Sequence, residues 1–207
     1  MRKTPVITFM VTAVAVILAL IPFHAFLTVW GASLLGHYTL LRLWKELLLL
    51  VLGSVALWLV FRDKHLRMQF LGSWLFRLML AYFALIVLLG LLALRSHTVN
   101  SAALYEGLIE DLRLVTFFFI AWVAASYSPW LKAHWKQLLL IPAAIVVIFG
   151  LLQAFALPAD FLTHFGYGAA TIKPFDTVDQ NIQFVRVQST LRGADPLGAY
   201  LIVVLAA

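Results

Sequence analysis

Gln137-Leu-Leu-Leu-Ile-Pro-Ala-Ala-Ile-Val-Val-Ile-Phe-Gly-Leu-Leu-Gln-Ala-Phe-Ala-Leu-Pro-Ala159 contains no charged side chain. As a helix it would extend about 34 Å at about 1.5 Å per residue, enough for the roughly 30 Å hydrocarbon core of a bilayer. Comparable uncharged stretches lie at 4–41, 47–61, 78–94 and 114–131, and a last apolar run begins at Leu197. Of the 207 residues, 64% are hydrophobic and 12% charged, against roughly 45–50% apolar and about 25% charged in a soluble domain. A soluble globule is excluded. The expected fold is all-α: a multi-pass transmembrane helical bundle of five spans plus the start of a sixth, at about 6–30, 40–61, 78–94, 113–128, 137–157 and 197–207. One transmembrane domain accounts for residues 1–207, and 158–196 is its single long loop.

The first stretch follows Arg2 and Lys3 as a signal peptide would, but it stays apolar past Ile21 and shows no small-x-small cleavage site. It reads as an uncleaved span kinked at Pro22. From Leu197 to Ala207 the chain supplies about 16 Å of helix, half a hydrocarbon core. It therefore reads as the N-terminal part of a longer domain, and this fragment alone is expected to be inactive. With the N-terminus in the cytoplasm, the inward segments carry Arg2, Lys3, Arg62, Lys64, Arg67, Arg77, Lys132 and Lys136 against Asp63 alone, while the outward segments come close to balance. The positive-inside rule favours that orientation. The expected location is the inner (cytoplasmic) cell membrane, with loop 158–196 on the extracytoplasmic side.

With no Cys, the chain can build neither disulfides nor thiolate metal sites. His24, His37, His65, His97, His134 and His164 include no pair at helical ligand spacing, so no metal is expected. No phosphate-cradling Walker loop or dinucleotide fingerprint occurs, and no cofactor is expected. The net charge of +6 is spread along the chain, which fits topology and contact with membrane lipids better than nucleic acid. Trp30, Tyr38, Trp58, Trp74, Tyr127, Trp130 and Trp135 fall near span ends, where amphipathic rings anchor at the interface.

Three charged clusters remain. Arg42, Lys45 and Glu46 share one arc of the second span, with Arg42 and Glu46 at the i, i+4 spacing that pairs opposite charges. They read either as a trio snorkelling at headgroup level or as a site where Lys45 and Arg42 receive an anionic head group and Glu46 fixes them or acts as a base. Residues 101–113 read as an amphipathic helix along the outer interface, with Leu104, Leu108 and Leu112 on one face and Glu106, Glu110 and Arg113 on the other. Asp111 falls with the leucines at this spacing, so a buried, paired Asp111 is the sharper alternative. In the third cluster Arg186, Arg192 and Asp195 approach the start of the last helix, where backbone N–H groups and planar guanidinium forks suit a phosphate. The same residues also read as a positively charged surface loop, and in either case Asp195 reads as the N-cap and Pro196 as the first helical residue. His164, alone in the long loop, reads as a surface group or a proton acceptor.

Arg186-Val-Gln-Ser-Thr-Leu-Arg-Gly-Ala-Asp-Pro-Leu-Gly-Ala-Tyr-Leu201 resembles the motif that opens the central region of the O-antigen ligase and O-antigen polymerase superfamily. Leu43-Trp44-Lys45-Glu46-Leu47 and the spacing of the spans resemble its N-terminal part. The resemblance implies a metal-independent membrane glycosyltransferase that takes a glycan from an undecaprenyl-diphosphate carrier on the outer leaflet and joins it to a lipid, glycan or protein acceptor. It implies that Arg186 matches the family arginine that grips the diphosphate; the charged clusters themselves offer Arg192, Lys45 and Arg42 as further contacts, with Glu46 and Asp195 in support. The residues by themselves leave open a transporter or flippase for an anionic lipid-linked substrate, and a membrane scaffold without chemistry.

Overall fold

The computed structural model describes residues 5–179 and 181–207, with the side chains of Thr39, Arg42, Ile182 and Gln183 excepted. The described chain is largely helical, with one hairpin and connecting turns: α1 (Pro5–Leu20), α2 (His24–Leu35), α3 (Tyr38–Arg62), α4 (Lys64–Gly72), α5 (Trp74–Arg95), α6 (Ser101–Tyr127), α7 (Pro129–Phe155), β1 (Asp176–Val178), β2 (Asn181–Arg186) and α8 (Ala194–Ala206). Four stretches are long and apolar enough to cross a membrane: Pro5–Leu35, Leu43–Arg62, Trp74–Arg95 and Pro129–Phe155. Along α5 no residue is buried, and Leu85, Leu88, Leu89, Leu91 and Leu92 are each more than half exposed. Water would not support so continuous an apolar surface, whereas lipid does. The protein is a membrane protein.

Within Pro5–Leu35 the helix breaks where Pro22 was expected to kink it: a 3-10 turn at Ile21–Phe23 separates α1 from α2. The interfacial helix expected at 101–113 is not a separate element. It continues without interruption to Tyr127 because no Pro cuts the hydrogen-bond ladder. Leu104, Leu108 and Leu112 are half-buried as expected, while Glu106, Glu110 and Asp111 are exposed, so the buried Asp111 is corrected. With Glu106, Glu110, Asp111 and Arg113 along it, α6 is not among the four apolar helices.

Two compact units form. The first comprises Met1–Val14 and Lys45–Pro129. Here α5 and α6 approach so closely that a Cβ on Gly90 would lie 2.6 Å from Leu104 Cδ1. Leu52 and Ala56 of α3 and Ile120, Val123 and Ala124 of α6 are buried. Between α3 and α5, outside any expected span, the chain forms α4. Asp63 starts it: one carboxylate oxygen accepts the N–H groups of His65 and Leu66 at 3.0 and 3.1 Å, and the other accepts the Tyr127 hydroxyl at 2.9 Å. Phe70 then packs α4 against Phe76, Phe119 and Trp122, with ring centroids 4.4 to 5.1 Å apart.

The Leu66 N–H, followed by the Tyr127 hydroxyl, holds the Asp63 carboxyl below the ordinary carboxylate value. A depressed carboxylate stabilises the fold above its unfolded pKa, and that contribution is lost as pH falls through the lowered one. Asp63→Ala is expected to cost about 1 kcal/mol, the usual value of an N-cap. In thermal unfolding its difference from the wild type should shrink at acid pH; a difference that grows there would contradict the cap.

The second unit comprises Ala15–Trp44 and Trp130–Ala207. Its core joins α2 to the segment after α7: Val29, Leu162 and Tyr167 are buried, with Phe26, Phe149, Phe161 and Phe165 packed around them. The segment 158–196 is therefore seated on a core. It contains a 3-10 turn at Phe161–Phe165 and the antiparallel hairpin β1–β2, where a long loop was expected.

The Tyr167 hydroxyl is buried without a hydrogen-bond partner, and burial followed by the nearby Tyr38 raises its pKa far above the ordinary phenol value. A raised pKa stabilises the fold below the unfolded value near 10 and loses that contribution as pH rises through the folded one. Tyr167→Phe removes an unsatisfied polar group while keeping the ring, so unfolding should be unchanged or up to about 1 kcal/mol harder at neutral pH. Its stability should also fall less at alkaline pH than that of the wild type. A loss above about 1 kcal/mol at neutral pH would show that the hydroxyl has a partner.

Candidate functional site

Arg186 is the last residue of β2, and the hairpin register sets its backbone opposite Asp176. The chain leaving the strand is tied down on three sides. Gln188, 3% exposed, donates both protons of its Nε2 to the carbonyls of Lys173 and Pro174, at 3.2 and 2.9 Å. Ser189 takes a left-handed φ of 52°, its N–H donates to Gln153 Oε1 at 2.7 Å, and its hydroxyl donates to the Val146 carbonyl at 2.7 Å. Thr190 donates its hydroxyl to the Pro22 carbonyl at 2.9 Å. The segment packs onto α7 at Gly150, where a Cβ would stand at ordinary contact distance from Val187 and Ser189, 3.5 and 3.6 Å.

Beside this tether lies a cavity of about 270 Å³, lined by Gln153, Pro158, Phe175, Val185, Arg186 and Gln188 among others. The Arg186 side chain is 48% exposed, and its Nη1 lies 3.8 Å from Asp195 Oδ1, on a carboxylate that is itself 94% exposed. An ion pair that long and that wet contributes little and does not compete strongly for the guanidinium. Arg192 is exposed on the following turn. An anion entering the cavity would meet a rigidly mounted fork with donors to spare.

Asp195 is not the N-cap. The ladder of α8 starts at the Gly193 carbonyl, which accepts the Leu197 N–H at 3.2 Å, so Gly193 occupies the cap position and Asp195 already lies in the first turn. Its negative charge still faces the positive end of the helix. Pro196 is likewise inside the first turn, where its missing N–H leaves no bond unmade.

The second-span cluster belongs to the first unit from Lys45 onward. Glu46 Oε1 accepts from Arg113 Nη2 at 2.9 Å and lies 4.0 Å from Lys45 Nζ. Arg113, read from the sequence as part of a solvated face, is thus the partner of Glu46, and its Nε is buried without a hydrogen bond. No local spacing signals a pair between α3 and α6. The Arg42 side chain lies outside the described residues, so its pairing with Glu46 does too. Among the described residues no three His, Asp or Glu side chains gather as a metal-ligand set. His164 is exposed, and its Nδ1 bonds the Phe161 carbonyl at 3.0 Å.

Set against protein-family models, curated proteins and solved structures, the chain matches none of them, so a functional reading rests on this geometry and on the motif.

Proposed function

We propose that the protein acts as a membrane glycosyltransferase of the O-antigen ligase type. The chain then lies in the cytoplasmic membrane with its N-terminus inside, five spans plus the start of a sixth, and 158–196 outside. The donor is a glycan on undecaprenyl diphosphate, and the acceptor a lipid, glycan or protein hydroxyl. The acceptor oxygen forms a bond to the anomeric carbon as the bond from that carbon to the diphosphate breaks. The electron pair leaves on the diphosphate oxygen, and the hydroxyl proton passes to a base. Arg186 meets the charge developing on the leaving oxygen, and Arg192 adds to the field at the same end of the site. Within the first unit Glu46 pairs with Arg113 and lies near Lys45, and Lys45 and Arg42 stay further candidates for contact with an anionic lipid by their sequence alone.

The observation that carries this reading is Arg186 itself: a half-exposed guanidinium on a tethered strand end, opening onto a polar-walled cavity and paired only loosely. Two measurements test it. Glycan transfer should require a diphosphate-linked donor and fail with the monophosphate-linked one; equal use of both would remove the role of Arg186. Because the chain has no Cys, Thr171→Cys offers one reactive thiol. An impermeant maleimide should label it in intact cells. Labelling only after permeabilisation would put the loop on the wrong side.

A further inference from the structure

The break between α1 and α2 leaves backbone groups that neither helix can satisfy. Helix α2 opens at His24 with Phe23 as its N-cap, and Phe23 has no side chain able to accept a hydrogen bond. Phe26 is the third residue of that helix, so its N–H is one of the four orphan donors of an α-helix start. Within the break itself, Pro22 is buried. Both needs are met by one residue far along the chain. The Thr190 carbonyl accepts the Phe26 N–H at 3.3 Å, and the Thr190 hydroxyl donates to the Pro22 carbonyl at 2.9 Å. Thr190 is 7% exposed, so water offers these groups little replacement. The Thr190 backbone carbonyl thus takes the place of the side-chain acceptor that Ser, Thr, Asp or Asn supplies at an N-cap, while its hydroxyl serves the carbonyl at the break.

We propose that Thr190 is a positioning residue for Arg186: by capping the broken first helix it locks the strand end that carries the guanidinium. The inference rests on the phosphate-binding reading of Arg186. Ser189 and Gln188 hold the same tripeptide to α7 and to the chain before β1. Thr190 alone of the three reaches the first helix. Val in its place keeps the shape and the carbonyl but turns a buried acceptor into an unsatisfied one. The turn should lift off Phe26, and Arg186 should lose its fixed pose.

The test uses the purified protein in detergent, with inorganic pyrophosphate as the probe and temperatures well below melting. Arg186→Ala should abolish binding, which checks the underlying reading separately. Thr190→Val should weaken binding about tenfold, the consequence of losing one buried hydrogen bond. Thr190→Ser, which restores the hydroxyl, should return affinity to within about threefold of wild type. Hydrogen exchange at the Phe26 amide should quicken in Thr190→Val and not in Thr190→Ser. Wild-type affinity and unchanged Phe26 exchange in Thr190→Val overturn the positioning role, whatever Arg186→Ala does. If Arg186→Ala binds like the wild type, the phosphate reading fails and the positioning role falls with it, even where Phe26 exchange shows the cap to be real.

Discussion

Arg186→Ala should lower glycan transfer from a diphosphate-linked donor by about 10²- to 10³-fold, the range seen when one preorganised donor to a developing oxyanion is removed. The lower end is expected, because a side chain 48% exposed leaves room for water to replace part of what is lost. Arg186→Lys should fall between, since Lys keeps the charge but not the planar pair of donors that matches two phosphate oxygens. Asp195→Asn discriminates the effect from general charge loss. Its carboxylate is 3.8 Å away and 94% exposed, so the pair contributes at most about 1 kcal/mol and removing it should leave transfer unchanged or slightly raised. Transfer measured in membranes, with the variants made in the full-length protein at matched levels, decides the matter. Wild-type rates in both Arg186 variants would remove this residue as the phosphate contact.

Gly166→Ala should destabilise the second unit by about 2–5 kcal/mol, from a left-handed backbone costing about 1–2 and overpacking costing about 1–3. Gly166 ends the 3-10 turn at φ +88°, and a Cβ there would lie 2.6 Å from Ser33 Cβ and 3.5 Å from the Val29 carbonyl of α2. The collision is with Ser33 Cβ, the first side-chain atom on a helix, which cannot swing aside, while the Val29 carbonyl stands at ordinary contact distance. Gly36 is the control. It has φ +74° with no heavy atom within 4 Å of a built Cβ. Gly36→Ala should therefore show the conformational cost alone, about 1–2 kcal/mol. Thermal unfolding in detergent compares the two, and equal losses would mean that the loop does not sit against α2 as described.

Much of the helical content was legible before any coordinates. Uncharged runs of span length have one economical solution in lipid, because only a helix satisfies its own backbone there. Pro22 was legible as a break for the same local reason: a ring without an N–H interrupts a ladder wherever it falls. The leucine face of α6 followed from helical spacing, and Leu104, Leu108 and Leu112 are the half-buried ones. Asp63 carried a signal that was missed, an acid just before Lys-His-Leu-Arg, which is how a short capped helix begins. The hairpin was missed because its strands are too short to show a period.

The candidate site divides along the same line. Arg186 could be picked out as a residue, from a cationic motif ahead of an apolar run. Its cavity could not, since Gln153, Phe175 and Gln188 meet around it only when α7 and the hairpin are folded together. The N-cap expected at Asp195 failed because the rule consulted only neighbours in sequence, whereas Gly193 already starts the ladder of α8.

Sequence alone determined that this protein lives in a membrane, roughly where its helices run and where the first one breaks, since these depend on local hydropathy and on proline chemistry. Tertiary structure alone decided that Glu46 pairs with Arg113, that Thr190 closes the break at Pro22, and that Arg186 borders a hollow while only loosely paired with Asp195. Pairing between distant segments is a matter of which backbone and charged groups would otherwise remain unsatisfied once the helices pack. No window of neighbouring residues contains that information.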